Sequence, residues 1–257
     1  DDLNIPFGTL RLRKNGSAGG HNGLTNINEL IGTQEYARIR VGIGHDFGRG
    51  QQVGYVLGEL SQEEKEQMPE LCKKVVEGIK DYIDYNSQTV ASIVGGLGSE
   101  QLDAWPKKEN DSLPPLYLII PNTAIATMSS MTFIASARST AQQDNALLEI
   151  FNELGEAMLV DESLIPAGTS LASCGIAYAL RYIRAAMEGG VELGFRANDA
   201  KRIVMQTLRG AADILAATDA HPEVEIDRVT TPGGLTIKGL NAMEAAGFTH
   251  SVIEGLR

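Results

Sequence analysis

The stretch Leu171-Ala172-Ser173-Cys174-Gly175-Ile176-Ala177-Tyr178 organises the C-terminal half of the chain. Its small residues run directly into a helical pattern that continues to Gly190. Small residues before a helix leave backbone N–H groups free to meet an anion, and the helix dipole favours negative charge at that end. The sequence therefore predicts a loop and a helix N-terminus that bind a small carboxylate.

A second stretch, Thr230-Thr231-Pro232-Gly233-Gly234-Leu235-Thr236, also precedes a helical pattern. It can place hydroxyls and backbone N–H groups around a carboxylate. The alternative is a plain turn that caps a helix, which the spacing alone favours. For the stretch around Cys174 the alternative is a buried packing seam, with the thiol acting as a small hydrophobe.

The chain from Ser139 onward is predicted to be almost entirely helical. Apolar residues recur at three-to-four spacing in Thr140 to Leu154, Ile176 to Gly189, Ala197 to Ala217 and Leu235 to Ala246. Several apolar positions from Ile203 to Leu215 do not fit one stripe, so this helix is expected to bury two faces. We therefore expect a homodimer or a higher homo-oligomer through residues 139–257.

Composition excludes several classes of protein. The 257 residues are 43% hydrophobic, which suits one or two globular domains, and the net charge of -11 argues against a general nucleic-acid binder. The two cysteines, Cys72 and Cys174, form no disulfide framework and no metal-ligand pattern. This cysteine usage predicts a reducing, cytoplasmic location. No apolar run of about eighteen residues and no signal peptide is found, so we expect no membrane contact.

The first eighty residues read as α/β material. Thr9 to Arg13 and Arg38 to Gly44 are predicted strands, Leu24 to Ile31 is a predicted helix, and Ser61 to Ile83 is a longer helix that opens with a Ser61–Glu64 capping box. Thr89 to Leu97 and Leu116 to Ile120 read as buried strands, with a short helix from Ser99 to Trp105 between them. The predicted fold class is an α/β N-terminal region with an incomplete mixed or parallel sheet, followed by an all-α dimerisation domain.

The residues from about Asp84 to Arg257 resemble pyrroline-5-carboxylate reductase. The resemblance rests on Pro121-Asn122-Thr123, the Ser173–Tyr178 stretch, Gly189-Gly190-Val191, Gln206-Thr207, His221-Pro222 and Thr230 to Thr236, in that order. It implies NAD(P)H-dependent reduction of an imino acid to proline, with NADP or NAD as cofactor. It also implies substrate contacts from Cys174, Gly175, Arg181, Thr230, Thr231, Pro232, Gly233, Gly234 and Thr236, with Pro121, Asn122 and Thr123 beside the cofactor.

The sequence departs from this family at the site. The usual Ser-Gly-Ser-Gly-Pro-Ala-Tyr is replaced by Ala172 to Tyr178, and a threonine that helps to hold the substrate ring is replaced by Arg181. An arginine can pair with a carboxylate but does not replace a neutral hydroxyl. The Gly-x-Gly-x-x-Gly fingerprint of a dinucleotide site is also absent from the sequence.

The first eighty residues resemble a different enzyme, bacterial-type peptidyl-tRNA hydrolase. The resemblance rests on Asp1 to Gly8, Gly16 to Leu24, Arg38 to Gly44 and Val53 to Gly58. By this resemblance, Asp1 corresponds to the carboxylate that orients the family's catalytic histidine. His21 and Asn22 correspond to the residues that bind the peptidyl-tRNA end. Residues 1–50 are locally basic, so weak tRNA contact is expected there.

The two resemblances predict three segments: 1–83 like peptidyl-tRNA hydrolase, 84–138 as a remnant of a dinucleotide domain, and 139–257 for substrate binding and dimerisation. Each enzyme lacks its N-terminal half, and Asp1 enters directly at a turn, so a chimeric or truncated chain is expected. Reductase activity is the leading hypothesis. Cleavage of a peptidyl-tRNA ester and a catalytically silent dimer are the alternatives.

Overall fold

The structure, a computed structural model, describes residues 2–48, 50–80, 83–93, 113–136 and 138–257. The chain forms two compact units that divide near residue 88. The first holds most of the residues before Thr89, and the second holds strand Val90–Ser92 and Pro115–Arg257.

The first unit contains a two-stranded antiparallel sheet. Strand β1 (Leu10–Arg13) pairs with β2 (Arg38–Val41), and helix α1 (Asn22–Ile31) lies between them in sequence. Helices α2 (Gln52–Leu57) and α3 (Gln62–Lys80) follow. The predicted capping box of α3 is confirmed, because the Ser61 N–H donates to Glu64 Oε2 at 2.7 Å and the Glu64 N–H donates to Ser61 Oγ at 3.2 Å.

The second unit contains a mixed four-stranded sheet. The order is β3 (Val90–Ser92), β4 (Leu116–Ile120), β5 (Ser130–Ser136) and β6 (Gly155–Leu159). The β3–β4 and β5–β6 pairs are parallel, and β4–β5 is antiparallel. Every residue of β4 is buried, as its unbroken apolar run predicts for a strand covered on both faces.

The core lies on the two faces of this sheet. One face packs Leu118, Ile120 and Phe133 against Ile165. The other packs Tyr117, Ile119 and Ile134 under the apolar side of helix α4 (Ala141–Asn152). These two clusters hold the end of β4 in place.

Strands β5 and β6 were not predicted, and β6 corrects the expectation of an all-α domain in the almost entirely helical region from Ser139. Gly155 begins β6 with φ of +142°, and a Cβ at this position would collide with the Ser130 backbone. Such a close approach is set by pairing with β5 rather than by local propensity, so periodicity missed it. The predicted strand residues from Val94 to Leu97 and the predicted helix from Ser99 to Trp105 lie outside the described residues.

The remaining helices are α5 (Ile165–Gly168), α6 (Gly175–Glu192), α7 (Ala197–Thr218), α8 (Pro222–Arg228), α9 (Leu235–Ala245) and α10 (Phe248–Leu256). Helices α6 and α7 pack closely, because a Cβ on Gly190 would lie 3.0 Å from the Ala200 Cβ. In the described chain, Ala200 is the only buried residue of α6 and α7. Much of the apolar surface of these two helices is therefore exposed in the single chain.

One helical stretch, Glu162–Glu192, is long and apolar enough to cross a membrane by length and composition, although the sequence lacks a continuous apolar run. Only 11% of its most apolar window is buried inside the chain. A single stretch of this kind is weak evidence, because an exposed helix face that covers a protein partner has the same composition. The absence of membrane contact stays a prediction.

Candidate functional site

The expected loop around Cys174 is helical, which corrects the prediction of a helix N-terminus there. Helix α5, a π-helical segment (Thr169–Cys174) and α6 follow one another without a break. Pro166 favours an early helix start, and the Thr169 hydroxyl donates to the Ile165 carbonyl at 2.8 Å. The N–H groups before α6 are therefore used inside a helix and are not free for an anion. A π-helical turn is nevertheless frequent at functional sites.

The residues predicted to lie beside the cofactor stand where β4 ends. Asn122 is buried, and its side-chain Oδ1 accepts the Ala124 N–H at 3.0 Å, which caps the 3-10 turn Thr123–Thr127. The Asn122 N–H donates to Ser130 Oγ at 3.2 Å, and this oxygen lies 3.1 Å from Thr132 Oγ1. This chain of buried polar groups fixes the strand end.

The structure brings this strand end against the π-helical segment. Ser173 Oγ donates to the Pro121 carbonyl at 3.4 Å, and Asn122 Nδ2 donates to the Ala172 carbonyl at 3.5 Å. The two predicted groups are thus neighbours, at the carboxyl end of a sheet strand. Ligands of α/β folds bind at this kind of position.

Cys174 and Gly175 border this meeting point. Cys174 is exposed, so the alternative of a buried small hydrophobe is wrong. A Cβ on Gly175 would meet no atom within 4 Å, which leaves open space beside it. Arg181 is exposed further along α6, and its guanidinium is accessible to an anion.

The turn from Thr230 to Thr236 keeps a free helix N-terminus. Gly234 is the N-cap of α9 and makes no side-chain capping bond, so first-turn N–H groups of α9 remain open. Gly233 has φ of +71°, and the exposed Thr231, Pro232 and Thr236 surround it. The hydrogen bonds found for Thr230 and Gly234 are local, to Ile226 and Asp227 and to Thr231 respectively. Among the described residues no hydrogen bond joins this turn to the Cys174 segment.

The first unit has its own cavity, of about 350 Å³. It is lined by the glycine-rich loop, His21, Asn22, Arg38, Arg40 and Asp2. His21 is the N-cap of α1, and its Nδ1 accepts the Leu24 N–H at 3.2 Å. His21 and Asn22 both line this cavity, and their role in binding stays a prediction. Asp1 lies outside the described residues.

Two arginines, Arg38 and Arg40, also line this cavity, although the sequence motifs did not indicate them as site residues. Arg38 donates to the Gln34 carbonyl at 3.1 Å and stacks on the Tyr36 ring, with 4.1 Å from its guanidinium carbon to the ring centroid. Arg40 forms an ion pair with the buried Asp2. The alternation of basic and apolar residues in β2 could have indicated that both arginines lie on one face of the strand.

Asp2 is held ionised by its partners. Burial alone raises the pKa of this carboxyl, but the Asn4 N–H at 2.8 Å and the Arg40 guanidinium outweigh burial and bring the pKa below its ordinary value of 3.8. The result is a fixed charge pair at the edge of the cavity.

The helical turns that follow three of the described strands are capped, which makes them less suited to a dinucleotide pyrophosphate. The helical turns that follow β4, β5 and β6 are each capped by their own side chain, namely Asn122, Thr140 and Asp161. Each cap holds one first-turn N–H group, and phosphate binding at a helix N-terminus uses these groups. These three helical turns therefore fit a pyrophosphate less well than an uncapped helix N-terminus would.

The structure thus combines a mixed sheet with a long helical region whose apolar faces are exposed in the single chain. The family model described as "Pyrroline-5-carboxylate reductase dimerisation" matches residues 162–257. The model described as "Peptidyl-tRNA hydrolase" matches residues 1–99. The two resemblances noted in the sequence are confirmed.

Similar proteins fall into the same two groups. Pyrroline-5-carboxylate reductases 1 and 2 of Dictyostelium discoideum are 40% and 39% identical to the chain, each over 74% of it. Peptidyl-tRNA hydrolase of Porphyromonas gingivalis is 55% identical over 32% of the chain. The chain spans 36% and 67% of the two Dictyostelium proteins and 44% of the Porphyromonas protein.

Solved structures agree with this grouping. The structure of Plasmodium falciparum pyrroline carboxylate reductase with NADP bound has a TM-score of 0.64 and 25% identity, and the match covers 73% of this chain and 74% of that one. The 1-pyrroline-5-carboxylate reductase of Streptococcus pyogenes has a TM-score of 0.61 and 26% identity, with 66% of this chain and 64% of that one covered. The chain belongs to the pyrroline-5-carboxylate reductase family, and a peptidyl-tRNA hydrolase-like segment precedes that part.

Proposed function

We propose that residues 115–257 form the substrate side of a pyrroline-5-carboxylate reductase site, which holds a cyclic imino acid for reduction to proline by NADPH or NADH. The observation that carries the proposal is the contact of Pro121 and Asn122 with the π-helical segment at the end of β4. This contact supports the proposal, because it joins residues from two stretches that the resemblance assigns to one site. The family of the chain supports the choice of substrate class.

We assign the substrate carboxylate to the turn from Thr230 to Thr236, which has N–H and O–H groups that can donate hydrogen bonds to it. The open N-terminus of α9 at Gly234 and the exposed hydroxyls of Thr231 and Thr236 are suitable donors. Because this turn makes only local hydrogen bonds within one chain, we assign its meeting with the Cys174 segment to a homodimer. The match of residues 162–257 to a dimerisation domain supports this assignment.

The cofactor is assigned by family only. The nucleotide supplies the hydride, and the described residues supply substrate binding and assembly. Because the helical turns after β4, β5 and β6 are capped by their own side chains, we expect this chain alone to bind NADPH poorly and to turn over at a trivial rate.

Calorimetric titration tests the proposal. We expect L-proline to bind with a Kd on the order of millimolar. Thr231→Val should weaken this binding by roughly 0.5–1.5 kcal/mol, the net value of one neutral hydrogen bond. Thr207→Val is the matched control, because the Thr207 hydroxyl bonds to the Ile203 carbonyl of its own helix. No proline binding at high millimolar ligand would refute the substrate site, and tight NADPH binding would refute the cofactor assignment.

A second function is favoured by the cavity of the first unit. His21, Asn22, Arg38 and Arg40 line it. Arg40 is paired with Asp2, and the Arg38 guanidinium beside donor side chains suits a nucleic-acid end. We propose weak, salt-sensitive binding of a tRNA acceptor end without hydrolysis. Binding of an acceptor-stem hairpin that falls with added salt and weakens in His21→Ala supports this proposal. Robust hydrolysis that disappears in His21→Ala would contradict it.

A further inference from the structure

Helix α10 is hydrogen-bonded to the π-helical segment and to α6, which carry the candidate site. Tyr178 Oη donates to the Gly255 carbonyl at 2.7 Å, and Ser170 Oγ donates to the Leu256 carbonyl at 2.8 Å. Tyr182 meets Phe248 edge to face, with ring centroids 6.4 Å apart. In this order the three contacts place α10 antiparallel to the π-helical segment and α6.

The two hydrogen bonds have a clear physical origin. The last carbonyls of a helix have no partner within it, and Gly255 and Leu256 are the last two residues of α10. Ser170 and Tyr178 supply donors to these carbonyls from residues far away in sequence. The contact therefore satisfies helix-end groups and joins two elements at the same time.

The position of the two donors connects them to the site. Ser170 lies within the π-helical segment, four residues before Cys174, and Tyr178 lies four residues after it. Residues four apart share a helix face. The two hydrogen bonds to α10 therefore lie before and after Cys174, on the same face of the helix as Cys174. On the opposite flank, the segment contacts Pro121 and Asn122 through Ser173 and Ala172.

We propose that Ser170 and Tyr178 are positioning residues, which use the end of α10 as a brace to hold the π-helical segment in its binding geometry. A π-helical turn is less stable than an α-helical one, so it needs contacts from outside the helix to persist. The brace supplies these contacts on one flank and the end of β4 supplies them on the other. The Tyr178 hydroxyl is consequently used to hold the fold rather than to touch a ligand.

The test compares tyrosine hydroxyls on one helix. Tyr178→Phe removes a hydroxyl that bonds to α10, whereas Tyr182→Phe removes a hydroxyl and keeps the ring contact with Phe248. Amide hydrogen exchange of residues 169–175 in the full chain should be about tenfold faster in Tyr178→Phe and in Ser170→Ala than in the parent, and unchanged in Tyr182→Phe. Equal exchange in all of these proteins would overturn the brace.

A ligand measurement separates positioning from simple stability. This part rests on the proposed function, and its probe is L-proline. Proline affinity should fall several-fold in Tyr178→Phe while the thermal midpoint stays close to that of Tyr182→Phe. Faster exchange with unchanged proline affinity would overturn the positioning role. If the parent chain binds no proline, the proposed function fails, and the exchange comparison still decides whether the brace exists.

Discussion

Burial of the Tyr117 hydroxyl makes the stability of the fold depend on pH. Tyr117 is fully buried on β4 and donates to Asp144 Oδ1 at 2.6 Å. Burial first, and then this bond to a carboxylate, raise the pKa of Tyr117 to about 12 from 10.0. The neutral phenol is thus favoured in the folded state.

The sign of the resulting pH dependence follows from linkage. Because the folded pKa is raised, the stabilisation is fully present below pH 10 and is lost as the pH rises through about 12. Tyr117→Phe should lower the free energy of unfolding by roughly 1–3 kcal/mol at pH 7, and should flatten the alkaline loss of stability. Urea unfolding of both proteins between pH 7 and 12 measures this. Parallel curves for the two proteins would contradict the assignment.

In the first unit, the Asp2 carboxylate is expected to make stability fall at acid pH, the opposite of the alkaline loss expected from Tyr117. Its folded pKa lies below 3.8, so its stabilisation is present above that value and is lost as the pH falls through the depressed pKa. Asp2→Asn should remove the ion pair with Arg40 and reduce the acid sensitivity of this unit. Acid titration followed by circular dichroism compares the variant with the parent chain. An unchanged acid midpoint in Asp2→Asn would argue against the ion pair.

At the scale of an element, the pairing of β5 with β6 depends on one glycine. Gly155→Ala should place a Cβ against the Ser130 backbone and force a residue with positive φ into strain. We expect a loss of about 2–4 kcal/mol in stability. Chemical denaturation of the full chain measures the loss.

The matched control is a glycine in open space. Gly78 lies inside α3, and a Cβ there would meet no atom within 4 Å. Gly78→Ala should stabilise the helix by about 0.5–1 kcal/mol, because alanine has less backbone freedom to lose. Similar effects of the two substitutions would mean that the close approach at Gly155 is not real.

At the scale of the whole molecule, the open apolar faces of the helical region predict a homodimer through residues 139–257. Ile203 and Ile214 on α7 are 43% and 46% exposed, and Leu193 is 83% exposed. Light scattering at micromolar concentration should give twice the chain mass. A monomer would contradict the prediction.

Charge substitutions locate the interface. Ile203→Glu and Ile214→Glu should convert the dimer to monomer, because an unpaired buried charge costs about 3–5 kcal/mol. Leu30→Glu is the control, since Leu30 is 78% exposed on α1 and lies outside the matched dimerisation region. If Leu30→Glu also gave a monomer, the interface would extend to the first unit.

The sequence by itself determined the two families, the fold class and the main helices, since these depend on local periodicity and on ordered motifs. It also indicated Pro121 to Thr123 and the Cys174 stretch as parts of one site. Only the tertiary structure decided that the Cys174 stretch is π-helical and that β6 joins the sheet, because long-range contacts set both. Gly155 approaches the Ser130 backbone, and Ser170 and Tyr178 meet the end of α10. Such contacts join residues that no local pattern relates, so their geometry is settled only when the elements pack.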